Sequence, residues 1–250
     1  MTALSARRPP GEARMSWLIA RRAAIESLRD RLTSLMSLFF AVVLPLGLLV
    51  FVVQPAAARS AESAIGGMLA FYLLVVGLMP AISAVGIAAG QFAGEKERGT
   101  LTPLLASPAS NLAIFGGKVL GAILPPLAYA VLGETVYLVG VAVLLGLARL
   151  QSIPVATGFA MLVMVPAVTA FAAIVASLIS SRVRTFNAAQ QLAGLVLMPV
   201  WGVLLTVAIK LPDWGTGALM GAITGLVLVD AALLVAAAAT WRREEVLSQI

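Results

Sequence analysis

Six stretches of the chain are almost wholly apolar: 33–53, 65–92, 119–147, 153–180, 188–209 and 217–240. A helix needs about 20 such residues to cross a bilayer, so the pattern predicts six transmembrane helices. The second, third and fourth stretches are longer than that minimum, which predicts tilt, kinks or ends that reach into water. Charged residues collect in the short links between the stretches. Five of the six carry internal prolines, at Pro45, Pro80, Pro125 with Pro126, Pro166 and Pro199. Each removes a backbone donor and favours a bend. The segment 15–32 ahead of the first stretch is patterned differently. Trp17, Leu18, Ile25, Leu28 and Leu32 recur at helical spacing, with Arg21, Arg22, Glu26, Arg29 and Asp30 between them. This predicts an amphipathic helix in the membrane interface, its Arg heads toward anionic lipid. Residues 1–14, with Pro9, Pro10 and Gly11, are expected to form a disordered tail, and 241–250 a second short tail.

Composition agrees with lipid as the solvent. The chain is 61% apolar and only 11% charged, against about 25% charged in a soluble domain. Its net charge of +6 would by itself suggest nucleic acid. With both termini placed in the cytoplasm, however, fourteen of the 17 Lys and Arg residues fall on the inner side, Arg7, Arg8, Arg14, Arg31, Lys96, Arg98, Lys118, Arg182, Arg184, Arg242 and Arg243 among them. Only Arg59, Arg149 and Lys210 fall outside. The positive-inside rule thus accounts for the charge, and no nucleic-acid partner is needed. The expected fold is an all-α, multi-pass helical bundle in the plasma (cell inner) membrane, with six spans over 33–240. Ala56-Ala57-Ala58 resembles a signal-peptide cleavage site, but the long segment before the first apolar stretch fits a retained span.

There is no Cys and no His. That removes thiolate nucleophiles, thiolate metal sites and the commonest general base and zinc ligand. No metal site is expected. A phosphate-binding P-loop is missing as well: Gly117-Lys118 is followed by Val119 rather than Ser or Thr.

Two G-x-x-x-G-x-x-x-G ladders, Gly86/Gly90/Gly94 and Gly217/Gly221/Gly225, offer small faces for close helix approach, within the chain or between subunits.

The link between the second and third stretches reads GEKERGTLTPLLASPASNLAIFGGK, residues 94–118. Glu95, Lys96, Glu97 and Arg98 end the second helix in water, and Gly99 allows a sharp reversal. Thr100 can cap a short helix that carries Leu101, Leu104 and Leu105, with Pro103 in its first turn and Ser107-Pro108 at its end. Three leucines outside the bilayer call for a protein partner or for burial against the chain's own helices.

The ordered run GEKERGTL…LLASPAS…GGK resembles the signature of type-2 ABC exporter permeases, especially the sodium- and drug-exporter-like branch. The stretch Leu28-Arg29-Asp30-Arg31 is similar to that family's N-terminal elbow helix. Pro103 and Asn111 depart from the acidic residue and the Arg common there. The resemblance implies that loop 94–118 is a coupling helix docking on a separate ATPase subunit, with Glu95, Lys96, Glu97, Arg98, Gly99, Thr100, Leu101, Leu104, Leu105 and Pro108 as contacts. It implies that ATP and Mg bind that partner, that this chain holds no cofactor, and that two permease chains pair, alike or different.

Glu134 and Asp230 lie near the middle of the third and sixth stretches. A carboxylate there costs about 2.5–3.5 kcal/mol on insertion scales, so both are candidate pathway residues, with Tyr137 beside Glu134. In an ion-coupled secondary transporter they would be the cation or proton sites instead. An intramembrane enzyme is the remaining alternative; Asp230 is the only Asp within a stretch, and the lysines sit near stretch ends.

Overall fold

The computed structural model describes residues 11–241, apart from 102–103, 105 and 211–215. Pro103, Leu105, Arg7, Arg8, Arg242, Arg243 and the rest of the two expected tails beyond those bounds lie outside the described residues. All regular structure among the described residues is helical.

Helix α1 spans Glu12–Arg29. It starts earlier than expected, so residues 12–14 belong to a helix and not to a tail. It stops at Asp30, whose backbone is extended (φ −71°, ψ 108°), and Thr33 Oγ1 donates to the Asp30 carboxylate. Leu32 therefore belongs to the next helix. Along α1 the small residues Ala20 and Ala23 face the protein, while Trp17, Leu18, Ile25 and Leu28 face outward.

Helix α2, Arg31–Ala57, is the first candidate span. π-helical turns at Phe39–Val43 and Leu49–Val53 flank the α turn that holds Pro45. Proline cannot donate to the Ala41 carbonyl and crowds it, and widened turns take up the misfit. Helix α3, Ala64–Glu97, restarts at Pro80 and widens again at Gly90–Gly94. Helix α4 runs from Asn111 to Leu144, 34 residues, or about 51 Å at 1.5 Å per residue. That exceeds the hydrocarbon thickness of about 30 Å. It begins eight residues before the expected start at 119, because the Ser110 side chain caps it by accepting from Ala113 N at 3.1 Å. Pro125 and Pro126 sit inside α4 without breaking it. Helices α5 (Val155–Arg182), α6 (Phe186–Lys210) and α7 (Thr216–Thr240) complete the bundle.

Five helices among the described residues are long and apolar enough to cross a membrane: α2, α3, α4, α5 and, from Gly217, α7. Helix α6 occupies the fifth expected stretch. The chain is a multi-pass membrane protein. Large side chains such as Phe51, Val143, Leu162 and Leu195 point outward, as expected where lipid covers the surface.

Helix α4 is the axis of the packing. Its Gly117 and Gly121 admit α1: a Cβ at Gly121 would lie 2.5 Å from Ala23 Cβ and 2.8 Å from Ala20 O. Its Gly133 and Gly140 admit α2 at Ala41 and Leu49. Of the two predicted ladders, Gly86 and Gly90 pack on Gln190 and Phe186 of α6, whereas Gly217, Gly221 and Gly225 have nothing within 4 Å of an added Cβ. One buried cluster, with Phe92, Leu101, Phe115 and Trp241, fills the end of the bundle nearest the loop. Another, with Leu69, Leu73, Tyr137 and Leu219, fills the opposite end.

Candidate functional site

The described residues of loop 94–118 are held by specific contacts at both ends of the loop. Helix α3 stops in a Schellman motif: Thr100 N donates to Glu95 O at 3.0 Å and Gly99 N to Lys96 O at 3.1 Å. Gly99 takes φ +67°, the left-handed geometry that favours glycine. Thr100 closes this stop. Glu97, Arg98, Gly99 and Thr100 are exposed at the tip, and Pro108 is exposed further on.

The expected apolar knob is not formed by Leu101. The reversal at Gly99 folds Leu101 back into the buried cluster that includes Phe92 and Ile114, where it is 0% exposed. Leu104 is half-buried against the same cluster. A buried side chain cannot touch a partner in this conformation, so Leu101 anchors the loop. Lys96 also turns inward. Its Nζ donates to Ser181 O at 2.7 Å and Val183 O at 3.1 Å, at the end of α5.

The two ends of the loop are joined by an ion pair. Lys118 Nζ lies 2.7 Å from Glu95 Oε2, and the Lys118 side chain is 1% exposed. The same ammonium donates to the Gln91 carbonyl and sits 4.9 Å from the centre of the Phe92 ring. Phe92 stacks on Phe115 at 5.4 Å and meets Trp241 at 5.6 Å. Asn111 Nδ2 donates to Trp241 O at 3.2 Å, and Arg182 reaches Thr240 Oγ1 at 3.5 Å. The ends of α3, α4, α5 and α7 nearest the loop are thus cross-braced beneath the exposed tip.

Beside the tip, a cleft of about 440 Å³ opens between α1, α3 and the start of α6, lined by Glu26, Asp30, Glu97, Arg98 and Phe186 among others. On α1, Arg21, Arg22 and Arg29 are exposed beside Trp17, and Asp30 and Arg31 are exposed where the chain turns into α2. Aromatic, aliphatic and guanidinium groups therefore share the outer face, as suits an interface.

The pathway candidates separate. Glu134 is half-exposed on α4. Asp230 is 8% exposed, and its Oδ1 has no hydrogen-bond partner among the described residues. Tyr137 does not line a pathway in this conformation: it is fully buried, and its hydroxyl donates to Leu69 O at 3.2 Å, tying α4 to α3.

Sequence reasoning passed over Ser180, Trp241 and the inward role of Lys118. A lysine between Gly117 and Val119, in an otherwise apolar run from Leu112 to Val131, was the available signal.

No curated protein matches the chain. The family model for ABC-2 type transporters matches residues 15–210, from within α1 to the end of α6, the loop included. The chain belongs to the ABC-2 type transporter family and is a membrane-spanning component of such a transporter.

Proposed function

We propose that this chain is the permease subunit of an ATP-driven exporter in the plasma membrane, in the sodium- or drug-exporter-like branch, with six spans and both termini cytoplasmic. A separate ATPase subunit binds ATP and Mg and docks on loop 94–118 through Glu97, Arg98, Gly99, Thr100 and the part of the loop that follows. Glu95, Lys96 and Leu101 serve from beneath by holding that surface in place. A second permease chain, identical or related, completes the translocation path. Closure of the ATPase pair on ATP moves the loop and switches the cavity from inward-facing to outward-facing.

The observation that carries this proposal is the exposed tip standing on a buried, ion-paired base. A flexible loop would absorb a push, whereas a braced one passes it to the helices. Glu134 and Asp230 are the side chains available to a cationic group of the cargo, since each carboxylate is costly in hydrocarbon without a partner.

Charge reversal at the tip, Glu97→Lys with Arg98→Glu, is the direct test. Both side chains are exposed, so the protein folds as before. Association with the ATPase subunit, measured by pull-down and titration in detergent, weakens by about tenfold or more, equivalent to about 1.4 kcal/mol. Unchanged association and unchanged ATP turnover would remove the loop as the docking element.

A further inference from the structure

The widened turn Gly90–Gly94 in α3 has a visible cause. The Ser180 hydroxyl of α5 donates to Ala89 O at 2.5 Å and accepts from Ala93 N at 2.9 Å. In an uninterrupted α-helix those two backbone groups would bond each other, four residues apart. A side chain from a neighbouring helix has entered the ladder, which is an established origin of such a distortion.

One turn further on, Lys96 makes the second link. Its ammonium holds the carbonyls of Ser181 and Val183, where α5 ends. A cation is favourable at that end of a helix, where the last carbonyls lack intrahelical donors. Glu95 and Lys96 are consecutive and point about 100° apart around the helix. Glu95 grips α4 through Lys118, and Lys96 grips α5. Both residues lie at the root of the loop.

We propose that Lys96 and Ser180 are positioning residues that harness α5 to the cytoplasmic loop, so that displacement of the loop drives α3, α4 and α5 as one body. This rests on the loop being the element on which the ATPase acts. The moving wall of the cavity then includes the fourth span as well as the two that flank the loop. Lys96 contributes by holding a helix end, and it needs no contact with the ATPase or the cargo.

The sequence holds no cysteine, so spin labels go only where cysteines are placed. Thr100→Cys and Arg184→Cys are both exposed, one on the loop and one just past α5. The doubly labelled chain, diluted with unlabelled chain in lipid nanodiscs, reports the loop-to-α5 distance by pulsed electron resonance. Measurements are made alone, and again with the ATPase subunit, ATP and vanadate. The expected wild-type result is one narrow distance that nucleotide does not alter. Lys96→Met, which keeps the side-chain length but removes the donors, broadens the distribution at least twofold, and Lys96→Arg restores it. Ser180→Ala lets Ala93 N return to Ala89 O, rotates the root of the loop and shifts the mean distance. It decides the matter alone if Lys96→Met does not fold. Wild-type distributions in the folded variants, even with a lowered melting temperature, overturn the proposal, as does a wild-type distance that changes with nucleotide. Because Thr100 belongs to the proposed docking surface, ATPase binding is judged on the unlabelled, cysteine-free chain, and failure to bind there sinks the docking proposal instead. The nucleotide-free widths still decide the harness.

Discussion

Lys118 shows how much one side chain can hold at the end of a membrane helix. It is buried, paired with Glu95 and set over Phe92. Removing one partner of a buried pair leaves an uncompensated charge and typically costs about 3–5 kcal/mol. Lys118→Met is expected to fall toward the lower end of that range, because Glu95 keeps 15% exposure and some access to water. The double variant Lys118→Met/Glu95→Gln removes the stranded charge and recovers more than half of the loss. Thermal unfolding in detergent checks both, and a single variant that melts with the wild type would show the pair to be dispensable. The sequence marks Lys118 as an oddity in an apolar run, but its partner lies 23 positions earlier and only the folded loop brings the two together.

Among the elements, glycine spacing separates contacts that look alike on paper. Gly121 and Gly221 each belong to an i, i+4 glycine pair, yet a methyl group at Gly121 meets Ala23 and the backbone of Ala20, while at Gly221 it meets nothing. Gly121→Ala is expected to lose about 1–3 kcal/mol through overpacking of α1 on α4. Gly221→Ala is expected to hold stability or raise it by up to about 1 kcal/mol, since glycine is a poor helix former. Melting temperatures of the two variants side by side provide the check; equal losses would mean that α1 does not dock as described. Helix boundaries follow the same division. The existence of α1 and the five candidate spans was legible from apolar runs and Arg spacing. The early start of α4 depends on the Ser110 cap, and the widened turn in α3 depends on Ser180, a residue 87 positions from its bonding partner Ala93.

For the molecule as a whole, the distribution of Lys and Arg makes a sharp topological prediction. Single cysteines at Arg59, Arg98 and Arg184, in a chain with none of its own, are probed with a membrane-impermeant thiol reagent on intact cells. Cys at 59 is expected to label from outside, while 98 and 184 label only after the membrane is opened. Labelling of 184 from outside would break the six-span, both-ends-inside topology. Under the proposed function, loop 94–118 lies on the same side as 98 and 184, where the ATPase subunit would reach it.

The sequence by itself determined the solvent, the helical class, the approximate spans and the family-bearing loop. These depend on local composition and spacing, and lipid enforces them strongly because an unpaired backbone group in hydrocarbon costs several kcal/mol. Tertiary structure decided which loop residues face outward. The sequence pattern points Leu101, Lys96 and Tyr137 toward a partner or a pathway, yet each is buried in the bundle. Lys96 and Tyr137 turn toward distant carbonyls, and such pairings across 68 to 87 positions leave no periodic trace along the chain, while Leu101 is turned inward by the left-handed reversal at Gly99.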